Sequence, residues 1–373
     1  MKRYIALDVL RGLTVALMIM VNNPGAWDMI FPPLKHAAWD GCTPCDLVFP
    51  FFLFCVGVSM AFSLAKYTSV TKEASAKILK RGLLLYLTGL LLTAFPFYPV
   101  HMNPGMTFWQ NYSHWLDNLR LTGILSRIAM CYVLASFIVL WLRSGKKIMG
   151  AVGVRCALHV GLLLLFAGPE GEFSLEGNFG RAFDNAIFGE SHVYHGYTNA
   201  AGQVVPFDPE GIFGTLTGTC TVLLGFLIGG LIRSSEGRQY ELVSKIYTCA
   251  AVSLAVSMIL IIWIPINKSL WSASYVFHAG GWAMLVLAFL IYLIDIKGVE
   301  KPFFPFKALG MNALTLFVLS GLLMKINWIY IGWNYSAVFG GSAFMSLLFS
   351  LMYLLLHLVI AVVLYRKKIF IKL

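Results

Sequence analysis

The stretch LVFPFFLFCVGVSMAFSLA, residues 47–65, contains no charged side chain over its whole length. A helix of about 20 apolar residues matches the thickness of the hydrocarbon core of a bilayer. Similar runs recur along the chain, and the predicted spans are 5–22, 47–65, 82–98, 122–142, 149–168, 211–232, 246–266, 273–294, 307–324 and 342–364. The sequence therefore predicts an all-α, polytopic integral membrane bundle of about ten transmembrane helices.

The composition lies outside the ordinary range of soluble proteins. The 373 residues are 59% hydrophobic and 12% charged, and the mean hydropathy is +0.77. Soluble domains are about half apolar and about one quarter charged. Since no part of the sequence reads as a soluble appendage, we expect a single transmembrane domain over residues 1–373.

The net charge of +11 is explained by topology. With the N-terminus inside, the predicted cytoplasmic loops hold about 20 Lys and Arg residues and the outer side about five, as the positive-inside rule requires. Both termini are therefore expected in the cytoplasm. The basic residues predict a lipid bilayer as partner and no nucleic acid.

Three long connections are predicted on the outer side, over residues 23–46, 96–121 and 169–210. Long loops on a rigid scaffold are where binding and catalytic residues concentrate. We therefore expect the functional site to face outward. No internal repeat is strong enough to predict an inverted-repeat transporter.

The first outer loop carries the densest set of polar side chains. It reads NNPG at 22–25, KHAAWDG at 35–41 and TPCD at 43–46, and its prolines prevent a regular helix. Histidine exchanges protons readily near neutral pH, so His36 is the candidate base, and Asp40 or Asp46 would orient it. The alternative is a loop histidine that makes only local hydrogen bonds.

The seven cysteines are scattered, and the outer pair Cys42 and Cys45 forms one Cys-x-x-Cys. This pair is compatible with a disulfide in an oxidising compartment. One pair alone does not predict redox or metal chemistry, so no metal site is expected.

Several ionisable residues fall inside the predicted spans. Asp8 and Arg11 lie three residues apart on one helical face, and Arg127 lies at the outer end of its span. Such groups usually face a bundle interior or a wet cavity, although Asp8 and Arg11 are equally compatible with a structural ion pair. Arg155 is expected near the cytoplasmic end of its span, where its side chain would snorkel to the interface.

The remaining candidates are Arg120, Glu210, Lys268, Trp271 and Asn312. All but Asn312 are predicted near the outer mouth of the bundle. Each has a structural alternative: headgroup anchors for Lys268 and Trp271, a helix N-terminal charge for Glu210, and an interhelical hydrogen bond for Asn312. Their convergence on one face favours the functional interpretation.

Ordered motifs along nearly the whole chain resemble the heparan-alpha-glucosaminide N-acetyltransferase family of transmembrane acyltransferases, in its bacterial branch. The matching segments are LDVLRGL at 7–13, VNNPG at 21–25, HAAWDG at 36–41, DLVFPFF at 46–52 with Gly57, GILSRIA at 123–129, DPEG at 208–211, KSLW at 268–271 and GMNAL at 310–314.

The resemblance implies transfer of an acetyl group from cytosolic acetyl-CoA to the amine of an amino sugar or glycan end on the outer side. It implies a bacterial inner-membrane protein, and a homodimer as the assembly. His36 and Asn22 match the catalytic histidine and the active-site asparagine, and Asp40 stands where the lysosomal member has asparagine. The complete expected site is His36, Asn22, Asp40 and Asp46 for catalysis, Asp8, Arg11, Arg127 and Asn312 for acetyl-CoA, and Trp39, Arg120, Glu210, Lys268 and Trp271 for the sugar.

Two mechanisms are compatible with these residues. His36 deprotonates the amine for direct attack on the thioester while Asn22 donates to the oxyanion, or His36 is acetylated first and passes the group on. The direct attack is our preferred hypothesis.

Two other functions are compatible with the sequence. A sugar or oligosaccharide transporter would use the same cavity without chemistry. A non-catalytic envelope scaffold would not require buried ionisable groups.

Overall fold

The computed structural model describes residues 4–235 and 237–371. The helices are α1 Ile5–Val21, α2 Val48–Ser63, α3 Lys72–Ala94, α4 Phe108–Asp117, α5 Ile124–Leu142, α6 Gly145–Leu165, α7 Phe179–Phe188, α8 Ile212–Ser234, α9 Gln239–Leu260, α10 Ala273–Leu290, α11 Phe304–Met311, α12 Ala313–Ile326, α13 Tyr335–Phe339 and α14 Ala343–Arg366. In the described residues, the one pair of strands is the short antiparallel hairpin of β1 Tyr197–Thr198 and β2 Val204–Val205. The predicted all-α class is confirmed.

Eight helical segments within the described parts of the chain are long and apolar enough to cross a membrane. They are Pro44–Ser63, Ile124–Leu142, Gly145–Leu165, Ile212–Ser234, Gln239–Leu260, Ala273–Ile296, Ala313–Ile331 and Ala343–Arg366. The polytopic membrane character is therefore confirmed, but the number of about ten is not. The other two predicted spans, 5–22 and 82–98, overlap α1, which has 17 residues, and α3, whose first half is charged.

Two predicted boundaries differ from the observed helices. The predicted span 307–324 is interrupted at Asn312, where α11 ends and α12 begins. The outer connections 96–121 and 169–210 contain the short helices α4 and α7. Thr107 and Asn178 cap these two helices by accepting backbone N–H groups.

The chain divides into two compact units. The first comprises the described parts of Met1–Ala65, Leu224–Ile259 and Phe277–Leu373, and the second comprises Lys66–Leu223 and Leu260–Val276. The single domain over residues 1–373 stays a prediction.

In the first unit, α1 packs directly against α11. A Cβ atom added at Gly12 would lie 1.8 Å from the carbonyl oxygen of Phe306, and one at Gly310 would lie 1.9 Å from that of Asp8. Only glycine permits such a close approach of two helix backbones. These glycines explain why the segments LDVLRGL and GMNAL lie side by side.

In the second unit, α3, α5, α6 and the first half of α8 pack together. The Sγ atoms of Cys156 on α6 and Cys220 on α8 are 4.0 Å apart. The rings of Phe179 and Phe183 on α7 pack against Phe213, the second residue of α8. The amphipathic helix α7 therefore lies over the beginning of α8.

Candidate functional site

His36 lies in the loop between α1 and α2 and is paired with a buried carboxylate. Its Nδ1 atom is 2.7 Å from Oδ1 of Asp46. The imidazole is 46% exposed, whereas the carboxylate is 1% exposed. A carboxylate on Nδ1 selects the tautomer that carries its proton there, which leaves Nε2 as the atom that accepts a proton.

Asp46 is fixed by three further hydrogen bonds from its own loop. Its Oδ2 accepts the backbone N–H of Ala37 at 3.1 Å and that of Thr43 at 3.0 Å. The hydroxyl of Thr43 also donates to Oδ2, at 3.1 Å. Asp46 belongs to the 3₁₀ turn Pro44–Leu47 that leads into α2, so the start of α2 and the orientation of His36 depend on the same carboxylate.

Cys45 is a second polar neighbour of the imidazole. Its Sγ lies 3.2 Å from Nδ1 and 3.7 Å from Nε2 of His36. Cys42 donates to the carbonyl of Thr43 at 3.6 Å. No disulfide joins these two cysteines in the structure, so the disulfide considered for this Cys-x-x-Cys is not formed.

Asn22 is positioned by the end of α1. Its backbone N–H donates to Met18 as the helix ends. The following residues are held against α14, because the hydroxyl of Ser350 donates to the carbonyl of Asn23 and Gly25 donates to the carbonyl of Ser346. Within the part of the chain that the structure describes, the side-chain amide of Asn22 makes no hydrogen bond. This amide remains able to donate to a ligand.

Trp39 and Asp40 occupy the outer part of the same loop. Asp40 is exposed and Trp39 is half-buried. The sequence left open whether Asp40 or Asp46 orients His36, and the short distance identifies Asp46 as a carboxylate bonded to the ring. Asp40 therefore lies near the surface of the loop.

Asp8 and Arg11 form an ion pair on α1, with 3.7 Å between Oδ1 and Nη1. Arg11 also donates to the hydroxyl of Ser59 on α2 at 2.5 Å and to the carbonyl of Gly310 at 3.5 Å. Since one guanidinium links α1, α2 and α11, it stabilises their packing. Its side chain is nevertheless 28% exposed.

Asn312 binds the end of the described chain. Its Nδ2 donates to the carbonyl of Ile369 and its Oδ1 accepts the N–H of Ile371, both at 2.9 Å. Both polar atoms of this side chain are thus engaged by backbone.

The second unit contains a separate polar cluster, formed by Arg120, Thr122, Asp208 and Glu210. Arg120 binds Asp208 through Nε at 2.8 Å and Nη2 at 2.6 Å, and Nη2 also reaches Oε2 of Glu210 at 2.6 Å. The hydroxyl of Thr122 donates to Asp208. This Arg120 cluster joins the end of the connection 96–121 to the segment DPEG.

Burial and charge oppose each other in the Arg120 cluster. Burial alone would lower the pKa of Arg120. Hydrogen bonds and charges from Asp208 and Glu210 outweigh this effect and raise the pKa above its ordinary value. Burial alone would raise the pKa of Asp208, but Arg120 and Thr122 hold that pKa below its ordinary value. Arg120 and Asp208 are therefore both charged over the neutral pH range.

Aromatic residues that the sequence analysis did not single out surround this cluster. The guanidinium of Arg120 lies 4.8 Å from the ring centroid of Tyr194. The hydroxyl of Tyr197 is 2.7 Å from that of Ser269, the neighbour of the half-buried Lys268. The segment KSLW thus lies beside the Arg120 cluster. In the sequence, the one signal for these aromatic contacts is the presence of tyrosines in the outer connection 169–210.

Arg127 and Trp271 lie in the core of the second unit. Arg127 is completely buried and donates from Nη2 to the carbonyls of Pro209 and Gly211, at 2.7 and 3.0 Å. Its guanidinium is 5.3 Å from the ring centroid of Trp271. Trp271 is 1% exposed and donates to Thr221. The headgroup-anchor alternative for Trp271 is wrong, because the ring does not reach the surface.

Arg155 is not at a helix end. It lies in the middle of α6, and its Nε donates to the carbonyl of Leu216 at 2.9 Å. The predicted snorkelling to the cytoplasmic interface is therefore wrong. Leu216 belongs to the first turns of α8, so the guanidinium lies near the predicted outer end of that helix.

Comparisons with known proteins confirm the resemblance that the motifs indicated. Residues 3–163 match the family model described as "Heparan-alpha-glucosaminide N-acetyltransferase, catalytic". A relative of that name from Homo sapiens is 27% identical over 98% of this chain, and one from Mus musculus is 25% identical over 97%. The chain spans 59% of the length of both relatives. His36, Asn22 and Asp46 all lie within the range matched by the family model.

Proposed function

We propose, from the similarity to heparan-alpha-glucosaminide N-acetyltransferases, that this multi-pass membrane protein transfers an acetyl group from acetyl-CoA to the amine of an amino sugar. The observation that carries the proposal is the hydrogen bond between Nδ1 of the half-exposed His36 and the buried Asp46. Acetyl-CoA supplies the acetyl group as an activated thioester. The acceptor is glucosamine or the glucosamine end of a glycan.

In the proposed reaction, His36 acts through Nε2 as a general base. Nε2 takes a proton from the sugar amine as the amine nitrogen bonds to the carbonyl carbon. The carbon–sulfur bond then breaks, and the thiol leaves with a proton returned by the imidazolium. Asp46 holds the ring and offsets the charge on it, and the side-chain amide of Asn22 donates to the oxyanion.

The other expected site residues are considered within each unit separately. In the first unit, Trp39 and Asp40 are proposed to contact or orient the sugar. In the second unit, the sequence motifs propose Glu210 and Lys268 as sugar-binding residues. Arg120 is a positioning residue, because its guanidinium is used by Asp208 and Glu210. Trp271, being buried, acts through Arg127 and the segment KSLW.

For the donor, we propose that Arg11 is the contact among the candidates, because its side chain remains partly exposed. Asp8 forms an ion pair with Arg11 at 3.7 Å. Asn312 in the first unit and Arg127 in the second unit are proposed to hold neighbouring backbone in place through their hydrogen bonds. A bacterial inner-membrane location with cytoplasmic termini and a homodimeric assembly are further proposals, which reporter fusions at each terminus and native mass spectrometry would test.

The test incubates the purified protein with acetyl-CoA and glucosamine and measures N-acetylglucosamine by mass spectrometry. Product is preferable to thiol release as a signal, because the protein itself has free cysteines. His36→Ala should lower kcat at least about a hundredfold. His114→Ala, which removes an exposed histidine of α4, is the matched control and should retain activity.

Two results would overturn the proposal. One is turnover by His36→Ala at the rate of the His114→Ala control. The other is uptake of labelled glucosamine into proteoliposomes without any donor, together with no acetylated product, which would favour the transporter.

A further inference from the structure

A large apolar groove lies within the second unit. Its volume is about 970 Å³, and α3, α5, α6, α7 and the start of α8 line it. The leucines at its rim include Leu79, Leu83, Leu134 and Leu158, and all four are exposed. Because the rim is apolar and exposed, the groove opens towards the surface that lipid covers in a membrane.

The charges in this groove have one sign. Its lining contains Lys80 and Arg155 and no acidic residue. Among residues 4–235 and 237–371, Lys80 has no ion-pair partner, and the bond from Nε to the carbonyl of Leu216 is the one hydrogen bond of the Arg155 side chain. Both terminal nitrogens of a half-buried guanidinium thus lack a protein partner. An arginine in such surroundings favours an anion.

The depth of Arg155 suits a lipid headgroup. Leu216 follows the start of α8 by four residues, which corresponds to about 6 Å along the helix. The stacking of His159 on Phe213, with ring centroids 4.6 Å apart, puts the same part of α6 level with the start of α8. A lipid phosphate that lies slightly below the membrane interface would therefore contact the guanidinium of Arg155.

The length of the groove argues against a protein helix as occupant. Along α3 the lining residues run from Leu79 to Tyr86, which is about 10 Å of helix. A partner transmembrane helix is about 30 Å long and would need a contact of greater extent. Flexible acyl chains fill a short, wide groove without that requirement.

We propose that this groove binds an anionic phospholipid of the surrounding bilayer. Its acyl chains lie along α3, α5 and α6, and its phosphate accepts hydrogen bonds from the terminal nitrogens of Arg155. The two unpaired cations favour a lipid of net negative charge over a zwitterionic one, whose own cationic group they repel. This proposal does not rest on the proposed acetyl transfer.

The test is native mass spectrometry of the detergent-purified protein with phosphatidylglycerol or phosphatidylcholine of identical acyl chains. The wild type should retain phosphatidylglycerol about tenfold more than phosphatidylcholine, and Arg155→Gln should reduce that preference. Leu158→Trp, which fills the groove and keeps Arg155, should reduce retention of both lipids. Lys147→Gln, which removes an exposed charge from the same helix outside the groove, should behave as wild type.

Equal retention of the two lipids by the wild type would overturn the proposal, as would an undiminished preference in Arg155→Gln. Undiminished lipid binding by Leu158→Trp would place the lipid elsewhere and overturn it too. A dimer that the wild type forms and Leu158→Trp loses, with no lipid bound to either, would assign the groove to a second copy of the chain.

Discussion

Asp46→Asn separates the roles of the carboxylate that His36 contacts. Asp46 accepts four hydrogen bonds, from Nδ1 of His36, from the backbone N–H groups of Ala37 and Thr43, and from the hydroxyl of Thr43. Asparagine has one acceptor oxygen and an NH₂ group that only donates. No orientation of this amide satisfies all four donors.

Both orientations of the amide predict a loss of activity. If the oxygen faces His36, the N–H groups of Ala37 and Thr43 face another donor, which costs about 2–6 kcal/mol at 1–3 kcal/mol for each unpaired group. If the NH₂ group faces His36, the ring changes tautomer and Nε2 can no longer accept a proton. We expect kcat to fall about a hundredfold or more, with little change in KM for glucosamine.

The assay measures N-acetylglucosamine formation and thermal unfolding for the same preparations. Thr43→Ala keeps the contact between His36 and Asp46 but removes one hydroxyl, so it should cost about 1 kcal/mol and leave kcat within about fivefold of wild type. Asp28→Asn, an exposed carboxylate of the same loop, should change neither. A folded Asp46→Asn protein with wild-type kcat would refute the assignment of Asp46.

Three further predictions concern the fold and its pH dependence. Arg120→Gln leaves Asp208 buried without its counter-charge, so the free energy of unfolding should fall by about 3–5 kcal/mol, measured by chemical denaturation in detergent. Burial raises the pKa of Asp184 to about 7, against the opposing N–H of Phe213 and the charge of Arg127. The folded state then holds this proton more tightly than the unfolded state, so stability falls as pH rises from about 4 to about 7, and Asp184→Asn should stabilise the protein by up to about 4 kcal/mol at pH 8 and little at pH 4. Gly12→Ala should prevent correct packing of α1 on α11, seen as aggregation in size-exclusion chromatography, whereas Gly153→Ala on α6, where a Cβ atom meets no neighbour, should behave as wild type.

The controls for these predictions distinguish local from general effects. Arg238→Gln removes an exposed ion pair with Glu241 and should change the unfolding free energy by less than about 1 kcal/mol. An equally large loss in Arg238→Gln would contradict the reasoning for Arg120. A stabilising effect of Asp184→Asn that is the same at pH 4 and pH 8 would contradict the raised pKa.

Apolar runs predicted most of the membrane helices because length and composition alone decide whether a segment can cross a bilayer. The spans predicted at α1 and α3 are not confirmed, because α1 has 17 residues and α3 begins with several charged residues. The apolar runs also missed the interruption at Asn312. At the interruption, Asn312 forms hydrogen bonds to the backbone of Ile369 and Ile371, nearly 60 residues away along the chain.

Residues in and next to the helices of the second unit were harder to interpret than residues in the loop around His36. Trp271 and Arg155 are residue types that commonly lie at membrane interfaces, and the sequence analysis considered an interfacial position for each. Their actual surroundings depend on neighbours from other helices: Arg127 and Thr221 around Trp271, and Leu216 beside Arg155. Periodicity gives the position of a residue on its own helix, but it does not say what the facing helix presents.

The loop around His36 did contain a local signal that resolves the choice between Asp40 and Asp46. Thr43-Pro44-Cys45-Asp46 has the spacing of a capping box, in which the acidic side chain turns back to accept the N–H of the first residue. A carboxylate that turns back in this way is buried under its own loop, beside whatever residue precedes the turn. Ala37 donates to the same oxygen as Thr43, so the chain before the turn must fold onto Asp46, and His36 comes with it. The orientation of the proposed base is therefore a consequence of how α2 begins, and a change that lengthens this turn should disturb catalysis even where it leaves His36 and Asp46 in place.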